Sequence, residues 1–151
     1  MKSLTIFVFI IFLSVSIYFA FSLKKREKIK LNRESAWPEV LDLIISALQS
    51  GASISESLSN LGRVGPNAIK NAFKKFEEDV LSGKKFDDCL TDLKKEFADP
   101  ISDQLFECLY FAAKFGSKNT VKVLRELSEY VSADLALRAE INTRFGWIRN
   151  S

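Results

Sequence analysis

The chain contains no histidine, and its two cysteines, Cys89 and Cys108, stand 19 positions apart with no C-x-x-C pair. Histidine is the commonest general base and the commonest zinc ligand in proteins, so its absence removes both roles. Two cysteines at this spacing make neither a disulfide framework nor a metal site. We expect free thiols packed inside a protein of a reducing compartment.

The usual sequence signatures of enzymes are also missing. The chain has no glycine-rich phosphate loop, no G-x-S-x-G turn and no H-E-x-x-H helix. Cys108 as a nucleophile would need a neighbouring base, and no histidine exists to supply one. We therefore predict that the chain is not an enzyme and uses no metal, cofactor or small-molecule substrate.

Proline and glycine are scarce, with three and six copies among 151 residues, which leaves room for long helices. Hydrophobic residues make up 47% of the chain and include 13 phenylalanines, enough for a core plus a membrane segment. The net charge of +3 gives no strong case for nucleic acid as a partner. After Trp37 no stretch alternates at period two, so the predicted fold class is all-α.

Residues 4–23 are 20 positions without a charge, a proline or a glycine. As a helix they would be about 30 Å long, the thickness of the hydrocarbon core of a bilayer, so we predict a transmembrane helix here. Five basic residues of a predicted juxtamembrane linker, 24–36, follow it: Lys24, Lys25, Arg26, Lys28 and Lys30. By the positive-inside rule, they place the amino terminus outside and the remaining chain in the cytoplasm.

A cleaved signal peptide is the competing interpretation of this segment, because Ala20-Phe21-Ser22 fits a small-x-small cleavage site. Two features oppose it. The apolar run is longer than the usual core of a signal peptide, and the basic cluster follows the run, where it resists translocation. A mature chain that starts at Leu23 would decide for the signal peptide.

An eleven-residue sequence motif occurs twice, 32 positions apart, at residues 51–61 and 83–93. Each copy has a glycine, then an apolar residue, an acid and two leucines at the same spacing, which marks the corner of a helical hairpin. A third copy, which matches the motif less closely, begins at Gly116. The predicted corner residues are Gly51, Ser53, Glu56, Leu58 and Leu61 in the first copy, Gly83, Asp87, Asp88, Leu90 and Leu93 in the second, and Gly116 in the third.

In each corner we expect the glycine to end one helix and the acid to help start the next. Ser53 followed by Glu56 has the spacing of a capping box. Asp87 and Asp88 fall in the first turn of a helix, where the dipole and free N–H groups favour carboxylates. A paired-acid catalytic site and a partner contact are the alternatives for these three acids.

Six helices are predicted, at about 38–50, 53–62, 66–82, 87–97, 100–115 and 119–145. Gly62 is expected to end the second helix, and Pro66 to occupy the first turn of the third. The apolar inner face of the fifth helix is expected to include Phe115, and that of the sixth to include Ile141.

These helices are expected to pair as three hairpins, an internally repeated all-α bundle behind one N-terminal transmembrane helix. The predicted domains are the transmembrane helix at 4–23, the basic linker at 24–36, the helical bundle at 37–145 and a short tail at 146–151.

Four stretches of the chain, taken in order, resemble a known family. They are Trp37 to Leu58, Gly83 to Leu90, Ala112 to Ser128, and Leu137 to Ile141. With the anchor before them, they resemble the type II secretion system F-protein domain, particularly its tight-adherence (Tad) pilus branch. The resemblance covers about Trp37 to Arg144, and it depends on the ordered combination, because no single motif is diagnostic.

The resemblance implies that the protein functions through contacts with other proteins. Members of the family are platform proteins of the bacterial inner (plasma) membrane in type II secretion and type IV pilus machines. Their six-helix cytoplasmic domains are thought to couple a hexameric secretion ATPase to pilin extraction and filament assembly. The resemblance therefore implies a scaffold with no catalytic activity, whose partners are the ATPase, other platform subunits in an oligomer, and the lipid bilayer.

One feature departs from the family. Its members usually continue into further membrane helices, whereas this chain ends at Ser151, about where the next span would begin. A fragment of a platform protein without function, a split gene product and a reduced single-span variant all fit that ending. A membrane-tethered helical adaptor or sensor for an unrelated cytoplasmic protein is the alternative from another class, and an adjacent gene for a secretion ATPase would favour the platform.

Overall fold

The computed structural model describes residues 12, 14, 16–18, 22, 28–116 and 119–149. The helices from Trp37 onward are α1 (Trp37–Gln49), α2 (Ile54–Val64), α3 (Lys70–Leu81), α4 (Phe86–Phe97), α5 (Pro100–Phe115) and α6 (Thr120–Arg149). Residues 28–34 are also helical, and none of the described positions lies in a strand. The predicted all-α class is confirmed.

The chain divides into two units, 1–33 and 34–151. The predicted transmembrane helix at 4–23 lies mostly outside the described residues, as do Lys24, Lys25 and Arg26. The described positions within it, 12, 14, 16–18 and 22, are helical. Lys28 and Lys30 belong to the helical stretch at 28–34. Within the described positions, no helix combines the length and apolarity that a membrane crossing requires.

The second unit is a ring of six helices. Successive helices contact one another, and α6 packs back against α1. Ion pairs show the direction of α5 against α4. Lys94 near the end of α4 binds Glu107 in the first half of α5, and Asp87 at the start of α4 lies 3.8 Å from Lys114 at the end of α5. The two helices are therefore antiparallel.

The contact between α6 and α1 is also antiparallel. The hydroxyl of Ser128 donates to Asp42 at 3.3 Å, and Arg138 lies 3.4 Å from Glu34, just before α1. The most extensive contacts in the ring join α1 to α6 and α2 to α3, which are helices of different predicted hairpins. Contacts between the predicted hairpins therefore close the bundle into a ring, so the three hairpins do not simply lie side by side.

Four aromatic side chains form the centre of the bundle: Trp37, Phe73, Phe97 and Phe106. Trp37 meets Phe97 and Phe106 edge to face, with ring centroids 5.0 and 6.3 Å apart. Phe106 also lies 6.0 Å from Phe97 and 6.4 Å from Phe73. Such pairs add about 0.5–1.5 kcal/mol each to the burial of the rings. The cluster joins α1, α3, α4 and α5 to one another.

The predicted end of α2 is wrong. Gly62 lies inside the helix, which continues to Val64, and it is buried. A Cβ atom at this position would stand 2.9 Å from the backbone nitrogen of Lys74 and 3.0 Å from its Cα. This glycine is therefore present because α3 approaches the backbone of α2 closely, and that approach accounts for the extensive contact between the two helices.

The predicted start of α3 is also displaced. Pro66 opens a turn, in which the N–H groups of Ile69 and Lys70 both donate to the carbonyl oxygen of Pro66 at 3.1 Å. The regular helix begins only at Lys70. Ile69 is nevertheless buried, so the residue contributes to the core from the turn that precedes the helix.

The start of α5 is as predicted. Asp99 accepts hydrogen bonds from the N–H groups of Ile101 at 2.9 Å and Ser102 at 3.0 Å, with Pro100 in the first turn. The end at Phe115 is also as predicted. The ring of Phe115 was expected on the inner face and is exposed, because no other element covers it, whereas Ala112 in the same turn is buried.

Helix α6 runs from Thr120 to Arg149, beyond the predicted end at 145 and into the predicted tail. Leu124 and Val131 are buried in its first half. Ile141 was expected on the inner face and is exposed. No side chain of α6 that the structure describes after residue 135 is even half-buried, so the second half of the helix extends past the packed bundle.

Candidate contact surface at the corner end of the bundle

The first corner ends α1 with a Schellman motif. The N–H of Gly51 donates to the carbonyl oxygen of Leu48 at 3.1 Å, and the N–H of Ala52 donates to that of Ala47 at 3.0 Å. Gly51 has a φ of 93°, which glycine adopts without the strain that a side chain would bring. The glycine therefore sets where α1 ends.

The capping box predicted from Ser53 and Glu56 is present at the start of α2. The carboxylate of Glu56 accepts a hydrogen bond from the N–H of Ser53 at 2.8 Å, and the Ser53 hydroxyl accepts one from the N–H of Glu56 at 3.2 Å. Both bonds satisfy N–H groups that the first turn of a helix leaves without a partner.

The second corner repeats the glycine geometry. Gly83 has a φ of 87°. Its N–H donates to the carbonyl oxygen of Val80 at 3.0 Å, and the N–H of Lys84 donates to the backbone carbonyl oxygen of Asp79 at 3.1 Å. This pair of bonds is again a Schellman motif. The following helix begins at Phe86, three positions after the glycine, as α2 does after Gly51. Two distant stretches of sequence thus fold into one backbone turn.

The cap of α4 differs from that of α2. Lys85 stands where the first copy has Ser53, and no side chain caps α4. Asp87 and Asp88 are exposed in the first turn and make no capping hydrogen bond. Their contribution to starting the helix is limited to the interaction of their charge with the helix dipole.

Lys84 supplies a link that the first corner lacks. Its ammonium group lies 3.3 Å from the carboxylate of Asp79 at the end of α3 and also binds Asp92 in the middle of α4. The hydrogen bond with Asp92 raises the pKa of Lys84, and the same bond lowers the pKa of Asp92. This lysine therefore ties α3 and α4 together beside their shared corner.

The four predicted leucines are buried. Leu58 and Leu61 point into the core from α2, and Leu90 and Leu93 do so from α4. Ile54 and Phe86, at the first position of each helix, pack against the same core. The repeat therefore places equivalent side chains in equivalent positions, and the buried leucines hold each short helix against the bundle.

The hydrogen bonds of Glu56 predict a dependence of stability on pH. The bond from the backbone of Ser53, and then that from its hydroxyl, lower the pKa of Glu56 below its ordinary value. A lowered pKa in the folded state stabilises the fold above the ordinary pKa, and this stabilisation is lost as pH falls through the folded value. We expect Glu56→Gln to lower the free energy of unfolding at pH 7 and to have a smaller effect at pH 3.

Denaturant titrations of the full chain at both pH values test this expectation. Glu78→Gln, on the exposed face of α3, is the matched control, for which no such change is expected. An effect of Glu56→Gln that is equal at pH 7 and pH 3 would show that the carboxylate charge does not stabilise the cap.

The three corners meet around one open cleft at one end of the bundle. Residues 52–55 line it from the first corner, Lys84 and Phe86 from the second, and residues 112–114 with Gly116 from the third, and its volume is about 610 Å³. Gly116 has a φ of 103° directly after α5. The corners predicted from the repeat are therefore brought together in space, which sequence spacing alone does not indicate.

The corner end also carries exposed apolar side chains. Leu81 is 80% exposed and Phe115 is 79% exposed, and these are the last residues of α3 and α5. No other large apolar residue described between 34 and 145 is as exposed as these two. The exposure of these two side chains was not predicted from the sequence, although a large apolar residue directly before a helix-ending turn was a signal for it at Leu81. Large exposed apolar side chains at one end of a bundle are candidates for a contact site.

Lys114 adds a charge to this end. Its ammonium group hydrogen-bonds the Tyr110 hydroxyl, lies 4.4 Å from the centre of that ring, and is 3.8 Å from Asp87. The bond with the Tyr110 hydroxyl is the main cause that raises the pKa of Lys114. The rim of the cleft thus combines a cation and an acid beside apolar surface, as the rim of a protein contact does.

The three corner acids do not form a paired site. Asp87 lines the cleft between the corners, whereas Glu56 lines a separate cleft between α1 and α2. Among the residues that the structure describes, no three potential ligands are grouped closely enough to hold a metal ion. Cys89 is buried and Cys108 is half-buried; both are free thiols, and burial raises the pKa of each.

Residues 40–149 match a known protein family, described as Type II secretion system (T2SS), protein F. The match spans well over half of the chain and all six helices except the first three residues of α1. It confirms the resemblance to the type II secretion system F-protein family that the order of the sequence stretches indicated. No curated protein and no solved structure matches the chain.

Proposed function

The chain belongs to the type II secretion system protein F family, and from this premise we propose that it is a platform component of a secretion or pilus assembly machine. The match over residues 40–149 is the observation that carries the proposal. The chain acts by protein–protein contact, couples a cytoplasmic secretion ATPase to pilin assembly or export, and performs no catalysis. The Tad pilus branch is the form of the machine that we propose.

We propose the corner end of the bundle as the surface that meets the ATPase. The exposed Leu81 and Phe115 support this assignment, since they offer apolar area at the same end as the cleft. The Lys84 ion pairs and the buried corner leucines support it as well. A surface that transmits motion has to be held firmly by the body behind it, and these interactions hold the corners in place.

The proposed placement in the bacterial inner membrane comes from the sequence. Residues 4–23 form the single span of this chain, and the basic residues at 24–30 keep the bundle in the cytoplasm. The chain enters the bundle at Trp37, the start of α1, and the first corner lies at the other end of that helix. The corner end is therefore the end of the bundle opposite to the start of α1. The domain limits 37–145 and the assembly with other platform subunits belong to the same proposal.

Binding of the secretion ATPase from the same genome to the full chain, purified in detergent, tests this function. We expect a complex on size-exclusion chromatography, and we expect deletion of the gene to abolish secretion or piliation. Absence of binding together with a deletion that leaves both processes intact would contradict the proposal. Binding of an unrelated cytoplasmic protein in place of the ATPase would identify the chain as an adaptor.

A further inference from the structure

A second groove runs along the outside of the bundle between α5 and α6. We call it the outer groove and define it by the residues that line it: Gln104, Cys108, Val123, Glu126, Leu127 and Tyr130. Its volume is about 400 Å³. None of these residues is among the predicted corner residues or takes part in the proposed contact with the ATPase.

The two walls of the outer groove present the same spacing. On α6, Val123, Leu127 and Tyr130 stand at i, i+4 and i+7, which is one face of a helix. Gln104 and Cys108 stand four apart on α5, and Phe111 continues that face. A groove between two helices with such faces accepts a third helix, whose own side chains at i, i+3, i+4 and i+7 enter it.

The apolar side chains of the groove, and Phe111 beside it on α5, are exposed to solvent. Val123 is 46%, Phe111 53% and Tyr130 62% exposed. The ring of Phe111 stacks on that of Phe115 at 6.1 Å, so the apolar surface extends toward the end of α5. Leu127 and Cys108 are half-buried at its floor. Aromatic side chains in this arrangement are the usual anchors of protein interfaces.

Glu126 determines the charge of the occupant. It is the only charged residue among those that line the outer groove. It is exposed and forms no ion pair with any residue in the described part of the chain. Lys122 lies one turn earlier, toward the start of α6. An apolar groove with an unpaired carboxylate on its wall is complementary to an amphipathic helix that carries a cation beside its apolar face.

We propose that the outer groove is the docking site for an amphipathic α-helix of a partner protein, seated with a lysine or arginine against Glu126. The apolar anchors of the helix lie between Cys108 on the α5 wall and Val123 and Tyr130 on the α6 wall. Phe111 continues the α5 face beside the groove. The outer groove adjoins the corner end at Phe115, whereas Leu81 is not among the residues that line it.

A designed peptide tests this proposal with the full chain in nanodiscs of neutral lipid. The probe is a fluorescein-labelled 16-residue helix with leucines on one face and lysines along one flank. A second peptide has glutamates in place of the lysines, and empty nanodiscs report binding to lipid. We expect fluorescence anisotropy to show binding of the lysine peptide and affinity for the glutamate peptide lower by about tenfold or more, which corresponds to one charge-assisted contact.

Charge exchange makes the test specific to Glu126. With Glu126→Lys, the preference is expected to reverse, so that the glutamate peptide binds more tightly than the lysine peptide. Glu129→Lys, an exposed acid on the same helix that does not line the groove, is the control and should keep the original preference. Equal binding of both peptides, no binding of either, or a reversal with Glu129→Lys alone would overturn the proposal.

A pair of valine variants tests the apolar wall. Val123→Asp is expected to abolish binding of the lysine peptide. Val64→Asp, at a valine of similar exposure on α2, is expected to leave binding unchanged. The same loss in both variants would overturn the proposal. Sedimentation velocity tests the other occupant: self-association of the chain that Val123→Asp abolishes would show that a second copy, and not a partner helix, covers the groove.

Discussion

Phe106→Ala is expected to destabilise the bundle by about 3–5 kcal/mol, the usual loss when a buried phenylalanine becomes alanine. The ring is fully buried and contacts Trp37, Phe73 and Phe97. Its removal leaves a cavity at the point where four helices meet, and the surrounding rings cannot collapse into that space without losing their own contacts. Denaturant titration of the full chain in detergent, followed by circular dichroism, measures the loss.

Phe115→Ala is the matched control, because it makes the same change near the end of the same helix at an exposed ring. We expect a change within about 0.5 kcal/mol of zero, as for most surface substitutions. Similar losses at Phe106 and Phe115 would contradict the location of the core.

Gly62→Val is expected to destabilise the bundle by about 3 kcal/mol or more, at the upper end of the cost of overpacking. Even the first added atom would lie 2.9 Å from a backbone nitrogen of α3. Because that atom belongs to the main chain of Lys74, the clash cannot be relieved by a change of rotamer. The two helices have to move apart, and their contact is among the most extensive in the ring.

Arg63→Val, at the next position of α2, is the control for this substitution. Arg63 is exposed, and its ion pair with Glu77 at 3.7 Å is worth about 0–1 kcal/mol. The same denaturant titration should therefore show a small loss for Arg63→Val and a large one for Gly62→Val. A stability of Gly62→Val close to that of the unchanged chain would show that α2 and α3 are not in close contact.

The corners could be predicted from the sequence because their signals are local. A Schellman motif requires a residue that tolerates positive φ, and Gly51 and Gly83 occupy that position. A capping box needs only Ser53 and Glu56, three positions apart. The burial of the corner leucines could also be predicted, because residues at helical spacing along the chain lie on one face of the helix.

The features that the sequence did not predict depend on distant segments. A glycine that ends a helix and a glycine that allows another helix to approach look alike in sequence, and Gly62 was assigned to the wrong one of these roles. The backbone of Lys74, twelve positions away, decides between them. Phe115 has the spacing of a core residue, but no element of the bundle covers it.

The gathering of the three corners is likewise a property of the whole ring. Antiparallel contacts of α4 with α5 and of α6 with α1 place alternate turns at one end of the bundle. The repeat then acquires a second role. It builds each turn, and it also supplies the residues that surround the cleft.

The outer groove could not be predicted because the exposed and buried faces of α6 share an apolar pattern. Val123 and Leu124 are neighbours in sequence, yet Val123 is exposed and Leu124 is fully buried. Only the position of α5 and α1 around α6 distinguishes the two faces. Helical periodicity therefore predicts that a helix has apolar faces, whereas the packing of the other helices decides which face is buried.

The role of the corner end as the contact surface is tested by the affinity of the full chain for the secretion ATPase, measured with and without a changed corner end. The variant combines Leu81→Asp with Phe115→Asp, and Val64→Asp is the control for adding an acid at an exposed apolar site. We expect the unchanged chain and the control to bind the ATPase equally, and the double variant to lose binding by about 100-fold or more, as for two interface anchors. Equal binding of all three proteins would contradict the assignment of the corner end as the contact surface, and absence of binding by the unchanged chain would contradict the proposed function itself.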